Sequence, residues 1–474
     1  MTFDPRLLAA MTASKVLTTG LRVSGRGGGT ALPGLIANRI DPRLLDKLAS
    51  RLPSGSIVVA GTNGKTTTSR MLAGMLERAG RHVVHNRSGS NLVRGISAAF
   101  AEQMTMFGPG GAEIGVIEAD ENAFPDVVQR VQPRVIVLLN LFRDQLDRYG
   151  ELETIANHWR GAIRDLTRDT TLVINADDPN LAALAAETGA TVVTFGLDES
   201  GYELPELPHA SDAAVCRVCE SPLVYDALFL SHLGEYRCPN CGNRRPLLDV
   251  VAGGIEIDGT ERLRMVVRDE REGHEANEVQ AEVALPGVYN AYNALAAVAA
   301  ARVLGVGFEP ILETLRSFRA AFGRLERVEY AGRSLMLALA KNPVGFNEVL
   351  RMLTASPLNG PLVIGINDLD ADGRDVSWLW DVDFEVLAAE QHQAEIFAVG
   401  IRGHDLAVRL KYAGVAPGRI DACAAGKPLA AALDHIVSQT DTGDQIFLLL
   451  TYTALLQLRQ SLADRGAVAE FWEQ

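Results

Sequence analysis

Eleven consecutive residues, Val58-Val59-Ala60-Gly61-Thr62-Asn63-Gly64-Lys65-Thr66-Thr67-Thr68, constrain this chain more than any other stretch. The apolar run reads as a buried strand, the two glycines as a tight turn, and the hydroxyl-rich segment after them as the opening of a helix. Such a turn points backbone N–H groups and a bare helix N-terminus at polyphosphate oxygens. Lys65 adds a point charge, and the Thr66 hydroxyl suits a Mg²⁺ ligand. The candidate nucleotide-binding residues are therefore Gly61, Thr62, Asn63, Gly64, Lys65, Thr66 and Thr67, with Lys65 expected to stand exposed on the loop. The general pattern G-x-x-x-x-G-K-[ST] lacks its first glycine, because Val59 occupies that place, so the loop is a narrower variant. ATP is the expected nucleotide.

A strand–loop–helix of this kind belongs to a parallel α/β fold, and the pattern continues accordingly. Short β-branched runs at 57–60, 114–118, 135–139 and 172–175 alternate with helical patterns, the first at 66–79. Parallel strands joined by crossover helices place ligands at their carboxyl ends. Glu118 and Asp120 close the second run and Asn140 the third. A carboxylate there can hold the nucleotide's Mg²⁺ beside Thr66, and Glu118 is the chosen residue.

With 474 residues the chain exceeds what one core can bury. Residues 1–45 read as a lead-in carrying the loop Gly25-Arg26-Gly27-Gly28-Gly29, residues 46–320 as a central ATP-binding domain, and residues 321–474 as a second α/β domain. Strands are expected in the latter near 362–366, 395–399 and 445–450. Within the central domain, about 212–246, Cys216-x2-Cys219 and Cys238-x2-Cys241 lie 18 residues apart, with Pro239 and Gly242 supplying turns. Two such knuckles match a zinc ribbon in which four thiolates close a tetrahedral sphere, so the metal is expected to be structural. Cys423, with no nucleophile-elbow glycines around it, is expected to be a small packing residue.

The formal net charge of −14 argues against a nucleic-acid binder held by backbone electrostatics. No apolar run approaches the roughly 18 to 20 residues that span a bilayer, and the opening Met1-Thr2-Phe3-Asp4 lacks signal-peptide character, so a cytoplasmic location is expected.

Four ordered motifs carry a resemblance. They are the phosphate loop with Glu118-Ala119-Asp120; Asn140-Leu141-Phe142-Arg143-Asp144-Gln145-Leu146-Asp147; Asn175-Ala176-Asp177-Asp178-Pro179; and Leu285-Pro286-Gly287-Val288-Tyr289-Asn290-Ala291-Tyr292-Asn293. In this order they resemble the central domain of the Mur ligases, which share their ATP loop with folylpolyglutamate synthetases and join a carboxylate to an amine through an acyl phosphate. The resemblance implies that Asn290 and Asn293 lie beside the adenine and that Arg324, in Phe322-Gly323-Arg324-Leu325-Glu326, reaches the nucleotide phosphates. Asn290 and Asn293 are three apart on one helical face, which lets two amides converge on a heterocycle edge.

Departures narrow the choice. Amino-acid-adding Mur ligases carry His where Gln145 stands, a carbamylated lysine near Arg160, and Asp-Tyr-Ala-His-Asn-Pro where this chain has Ala338-Leu339-Ala340-Lys341-Asn342-Pro343. The cysteine knuckles, the segment 341–348 and Asp368-x-x-x-Asp372-Gly373-Arg374-Asp375-Val376-Ser377-Trp378-Leu379-Trp380-Asp381 together resemble the MurT family, ligase subunits of lipid II isoglutaminyl synthase, over essentially the whole chain. That implies ATP-dependent amidation of the D-glutamate α-carboxylate in the lipid II stem peptide, at the inner face of the cell membrane. It also implies a heterodimer with GatD, a glutaminase that supplies ammonia and whose triad is completed by an aspartate of the Trp-flanked loop. Asp375 is the first choice for that aspartate, with Asp368 and Asp372 as alternates. A folylpolyglutamate synthetase, an amino-acid-adding Mur ligase and a noncatalytic nucleotide-binding scaffold stay open as alternatives.

Overall fold

A computed structural model describes residues 4–23, 31–87, 90–105, 110–144, 152–199, 201–208, 211–272, 277–319, 324–355, 358 and 360–468. The Gly-rich loop at 25–29 and residues Gln145, Leu146 and Asp147 lie outside the described residues. The chain forms two compact units. One comprises Met1–Phe142, Leu152–Glu206 and Ala213–Phe318, the other Arg143–Glu151, Leu207–Asp212 and Arg319–Gln474.

The first unit is organised by a nine-stranded sheet. Its strands in chain order are β1 (Ser56–Ala60), β2 (Val83–His85), β3 (Ile114–Glu118), β4 (Val135–Leu138), β5 (Thr171–Asn175) and β6 (Thr191–Leu197). A hairpin, β7 (Val224–Leu230) and β8 (Leu233–Arg237), forms its own two-stranded sheet, and β9 (Val250–Asp258), β10 (Arg262–Asp269) and β11 (Asn277–Val283) return to the large one. The order is β11-β10-β9-β6-β5-β4-β1-β3-β2, parallel from β9 to β2 and antiparallel across β9, β10 and β11. Every residue of β1, β3 and β4 is buried, which is why these runs read as continuously apolar rather than alternating. The antiparallel extension carries no comparable apolar run and is not visible in the alternation of strands and helices.

Register fixes where the site falls. Val59 pairs with Glu118 and Ala60 with Leu138, so the carboxyl ends of β1, β3 and β4 finish level with one another. The helix Lys65–Arg78 leaves the end of β1 and packs back across β1, β2 and β3. Helix Val288–Val303 follows the Gly287 turn; it is rich in alanine and buried along nearly its whole length, and it lies against Lys65–Arg78. Small side chains let the two helices approach closely while alanine favours the helix itself. Residues 1–45, expected as a lead-in, contribute helices Pro5–Val23 and Ala31–Ile40, which pack on Val93–Gln103 within this unit.

The second unit has six strands: β12 (Arg324–Tyr330), β13 (Arg333–Leu339), β14 (Leu362–Gly365), β15 (Ile396–Val399), β16 (Ile420–Asp421) and β17 (Gln445–Leu450), ordered β12-β13-β17-β14-β15-β16. Only the β12–β13 hairpin pairs antiparallel among the described strands. Alternate residues feed opposite layers. Leu362 and Ile364 join Phe346, Leu406 and Leu410 on one face, while Val363 joins Leu433, Leu455 and Leu458 on the other. Among the described residues no helix is long and apolar enough to cross a membrane.

Candidate functional site

The loop after β1 is shaped by two glycines. Gly64 has φ +87° and caps the helix, and a Cβ there would meet the Asn293 side-chain oxygen at 1.9 Å. At Gly61 a Cβ would come within 2.8 Å of Leu139. No side chain can replace either without moving the packed helix or strand. Since glycine offers no capping side chain, the first-turn N–H groups of Lys65–Arg78 face outward, the arrangement that receives an anion.

The loop is clamped from the end of β4. Asn140 accepts the Asn63 N–H through its side-chain oxygen at 2.8 Å and donates to the Asn63 carbonyl at 3.1 Å. Thr62 exchanges two bonds with Phe142: its hydroxyl donates to the carbonyl at 3.1 Å and accepts the N–H at 3.0 Å. Thr68 donates to the Asn293 carbonyl at 3.2 Å. Lys65 departs from expectation. It is 6% exposed, donates to the carbonyls of Gly61 and Thr62, and pairs with Glu121 at 3.0 Å. Burying an ammonium requires such partners, because an unpaired charge there carries a large desolvation cost. Glu121 follows the strand-end acids Glu118 and Asp120 and escaped the sequence reading, since no periodicity marks it. Asn140 was visible as a strand end; its role as the clamp was not.

Glu118 ends β3, buried beside Val59, and its backbone is held by Asn86, which accepts the Glu118 N–H and donates to its carbonyl, both at 2.9 Å. Thr66 lies in the first turn of the helix, half-buried, and Thr67 beside it is buried. Glu118 thus ends the strand beside β1, and Thr66 belongs to the helix that follows the loop after β1. Asn290 donates to the Pro286 carbonyl at 2.7 Å, and Asn293 donates to the Asn290 side-chain oxygen at 3.1 Å, so the two amides act together against the loop at Gly64. Arg324 opens β12 in the second unit, and its side chain lies outside the described residues.

The cysteine knuckles converge. All four Sγ atoms lie within 4.8 Å of one another, with Cys216 to Cys241 at 3.6 Å and Cys219 to Cys238 at 3.4 Å. Sulfurs around a tetrahedral zinc stand about 3.8 Å apart, so the donor set fits that ion. The Val218 N–H points at Cys216 Sγ (3.4 Å), and a side-chain hydrogen bond from Asn240, then the Ser221 N–H, holds the Cys219 thiol down to about 6. The motif Asn175-Ala176-Asp177-Asp178-Pro179 ties this module to the sheet. Buried Asp177 accepts from Arg245 (3.0 Å), Tyr292 (2.7 Å) and the Leu197 N–H (2.9 Å), and its carbonyl takes the Gly234 N–H. Asp178 accepts the Leu141 N–H at 2.8 Å, next to the residue that clamps Thr62. The ring of Phe142 packs 4.8 Å from His232 at the tip of the hairpin.

In the second unit the three candidate aspartates have separated roles. Asp368 is paired with Arg402 at 2.8 Å. Asp372 is buried, accepts the Thr453 N–H at 2.8 Å and the Thr453 hydroxyl, and burial pushes its pKa up. Asp375 is exposed, accepts the Ser377 N–H at 2.8 Å, and this bond holds its carboxyl below the usual range. Asp375 also lines a shallow cleft with Asp144, Asp212, Lys341, Trp378 and Asp381. Lys341 is ion-paired with Asp144 there. Trp378 packs on Phe346 with ring centroids 5.1 Å apart, whereas Trp380 is 56% exposed and leans on Tyr412. Cys423 is exposed, so the expectation of a packing residue fails.

Comparison with known proteins agrees with this architecture. Residues 59–241 match the Mur ligase middle domain, and residues 339–455 match the MurT ligase C-terminal domain. A pseudomurein peptide ligase type C from Methanothermus fervidus superposes with a TM-score of 0.65 at 23% identity, covering 89% of this chain and 80% of that one. The fold is therefore that of a Mur ligase. The lipid II isoglutaminyl synthase (glutamine-hydrolyzing) subunit MurT of Streptococcus pneumoniae is 33% identical over 94% of this chain and 95% of its own length. The subunit of the same name from Staphylococcus aureus is 33% identical over 86% and 89%. The chain belongs to the MurT family of Mur ligase-like proteins.

Proposed function

We propose that this chain is the ATP-dependent ligase subunit that amidates the D-glutamate α-carboxylate of the lipid II stem peptide to D-isoglutamine. The observation that carries this is the near full-length match to relatives named for that synthase, combined with an intact phosphate loop. A carboxylate is a poor acyl donor. Transfer of the γ-phosphoryl group of ATP to its oxygen makes an acyl phosphate with release of ADP; ammonia then adds to the carbonyl carbon and phosphate departs. Such transfer depends on positioning and neutralising charge. The N–H groups from Gly64 to Thr67 and the Lys65 ammonium bind the polyphosphate, Asn290 and Asn293 serve the adenine side, and Arg324 adds a further cation. Thr66 and Glu118 would hold Mg²⁺, which when bound screens the phosphate charge. Cys216, Cys219, Cys238 and Cys241 would hold a structural zinc, whose closed sphere leaves no position for substrate.

Ammonia at neutral pH is largely ammonium, which is not a nucleophile, so a partner that releases NH₃ beside the acyl phosphate answers a chemical need. The relatives are named as a subunit of a glutamine-hydrolysing synthase, and the glutaminase GatD is the proposed partner. Asp375 is the proposed aspartate for the partner's histidine, because it is exposed and ionised while Asp368 and Asp372 are occupied within this chain. The domain limits 46–320 and 321–474 are offered as the ligase's central and C-terminal domains. The proposed place of action is the cytoplasmic face of the membrane, where the lipid-linked substrate is presented. The test supplies lipid II, ATP and Mg²⁺ with either ammonium or glutamine. Ammonium alone should support amidation by this chain, and glutamine should do so only with the glutaminase present. Glutamine-driven amidation by this chain alone would contradict the division of labour.

A further inference from the structure

The edge of the second unit's sheet brings together three side chains that the ligase reaction does not use. Asp421 ends the edge strand β16, Cys423 follows in the next turn, and His435 projects from helix Leu429–Gln439. One oxygen, one sulfur and one ring nitrogen from these residues all lie within 4.8 Å of one another. We propose that Asp421, Cys423 and His435 form a second metal site, which takes one zinc-class divalent cation and leaves a coordination position open to water.

Three features support the assignment. The donors are chemically matched: carboxylate, thiolate and imidazole together suit zinc and its borderline neighbours such as cobalt, and disfavour magnesium and calcium. Their placement is held by the fold. Asp421 accepts the Cys423 N–H at 2.7 Å through one oxygen and meets His435 Nε2 at 2.7 Å through the other, and the His435 ring stands edge-on to Phe397 with centroids 6.1 Å apart. The set is also accessible, with Cys423 exposed and the Asp421 and His435 side chains part-buried. This contrasts with the four-cysteine knuckle, where protein atoms fill the sphere.

A nucleophilic cysteine is the other chemistry such residues could serve. It requires the imidazole to address the thiol, but here Asp421 occupies Nε2 and places a second anion-forming group beside the sulfur. A cation between the two anionic donors turns that repulsion into attraction. Ligands around a tetrahedral zinc stand roughly 3.3 to 3.8 Å apart, so the Asp421–His435 contact must open by about an ångström to admit the ion. Both side chains are part-buried, and the opening exchanges their direct hydrogen bond for one bond each to the ion.

The test uses the full chain, purified with its four-cysteine site loaded, and titrated with Zn²⁺ by calorimetry. The wild type should bind one ion more per chain than Cys423→Ser or His435→Gln, or bind it at least about 100-fold more tightly. Co²⁺ added to the zinc-loaded wild type should give a thiolate-to-cobalt charge-transfer band that Cys423→Ser lacks. Unchanged far-ultraviolet circular dichroism in the variants attributes the loss to the ligand rather than to folding. Equal stoichiometry and affinity in wild type and both variants would overturn the site, as would a cobalt band of full intensity in Cys423→Ser.

Discussion

The phosphate loop of the first unit and the acidic loop of the second both follow the carboxyl end of a parallel strand, yet they handle charge in opposite ways. Lys65 is buried, surrounded by loop carbonyls and balanced by Glu121. Asp375 is exposed, with its carboxylate anchored by the Ser377 N–H. The first arrangement suits a ligand whose charge must be met in a preorganised, poorly hydrated place. The second suits a group that must remain available to another molecule. Substitutions in the first loop should therefore damage folding and chemistry together, and those in the second should damage chemistry alone.

The largest expected effect is at Lys65. Lys65→Ala should lower ATP-dependent amidation by at least roughly 10³-fold, as loss of a phosphate-clamping cation does. Steady-state turnover measures it, and near-normal turnover would remove Lys65 from the phosphate site. At Asp375, Asp375→Asn should cut glutamine-driven amidation with the glutaminase by about 10²-fold or more while sparing the ammonium-driven reaction, because an orienting carboxylate acts only on amide hydrolysis. If Asp368→Asn or Asp372→Asn shows that selective loss instead, the triad residue has been misassigned.

Stability sharpens the contrast further. Lys65→Ala leaves Glu121 without its cation in a buried place and should cost about 3 to 5 kcal/mol in chemical denaturation. Adding Glu121→Gln should recover most of that stability without restoring turnover, whereas Asp375→Asn should leave the denaturation midpoint where it was. A double variant as unstable as Lys65→Ala would show that the pair is not the source of the loss.

The smallest effect concerns a buried group that carries no charge. His85, at the end of β2, is buried, and burial followed by the nearby Arg87 and Arg70 lowers its pKa to about 3. Because the folded value lies below the unfolded one, acid favours the unfolded chain. Stability is lost progressively as pH falls from about 6.5 toward 3, amounting to about 2 kcal/mol at pH 5 from this group. His85→Gln should flatten that part of the stability profile, and an unchanged slope would place the acid sensitivity elsewhere.

Much of this was legible in the sequence because it rests on short-range rules. The strand–loop–helix, the strands at 362–366, 395–399 and 445–450, and the acidic strand end at Glu118 are local patterns of apolar runs and glycines. The structure puts β14, β15 and β17 at Leu362–Gly365, Ile396–Val399 and Gln445–Leu450. What escaped depends on contacts between distant residues. Glu121 meets Lys65 across 56 positions, Asn140 meets Asn63 across 77, and His435 meets Asp421 only because a helix folds over an edge strand. The burial of Lys65 was missed for the same reason: a loop lysine reads as exposed until Glu121 closes over it. The antiparallel strands gave no continuous apolar run to follow: β10 alternates in burial along its length, and β9 is continuously buried only over its first four residues.

On the proposed function, this chain itself activates and amidates the stem-peptide carboxylate. The most direct test is mass spectrometry of lipid II after incubation with the purified chain, ATP, Mg²⁺ and ¹⁵N-labelled ammonium. One carboxyl hydroxyl of the D-glutamate residue should be replaced by a labelled amide nitrogen, with ADP and phosphate released in equal amount and neither change seen with Lys65→Ala. ATP hydrolysis without label in lipid II, or label incorporated without ATP, would contradict the proposed function.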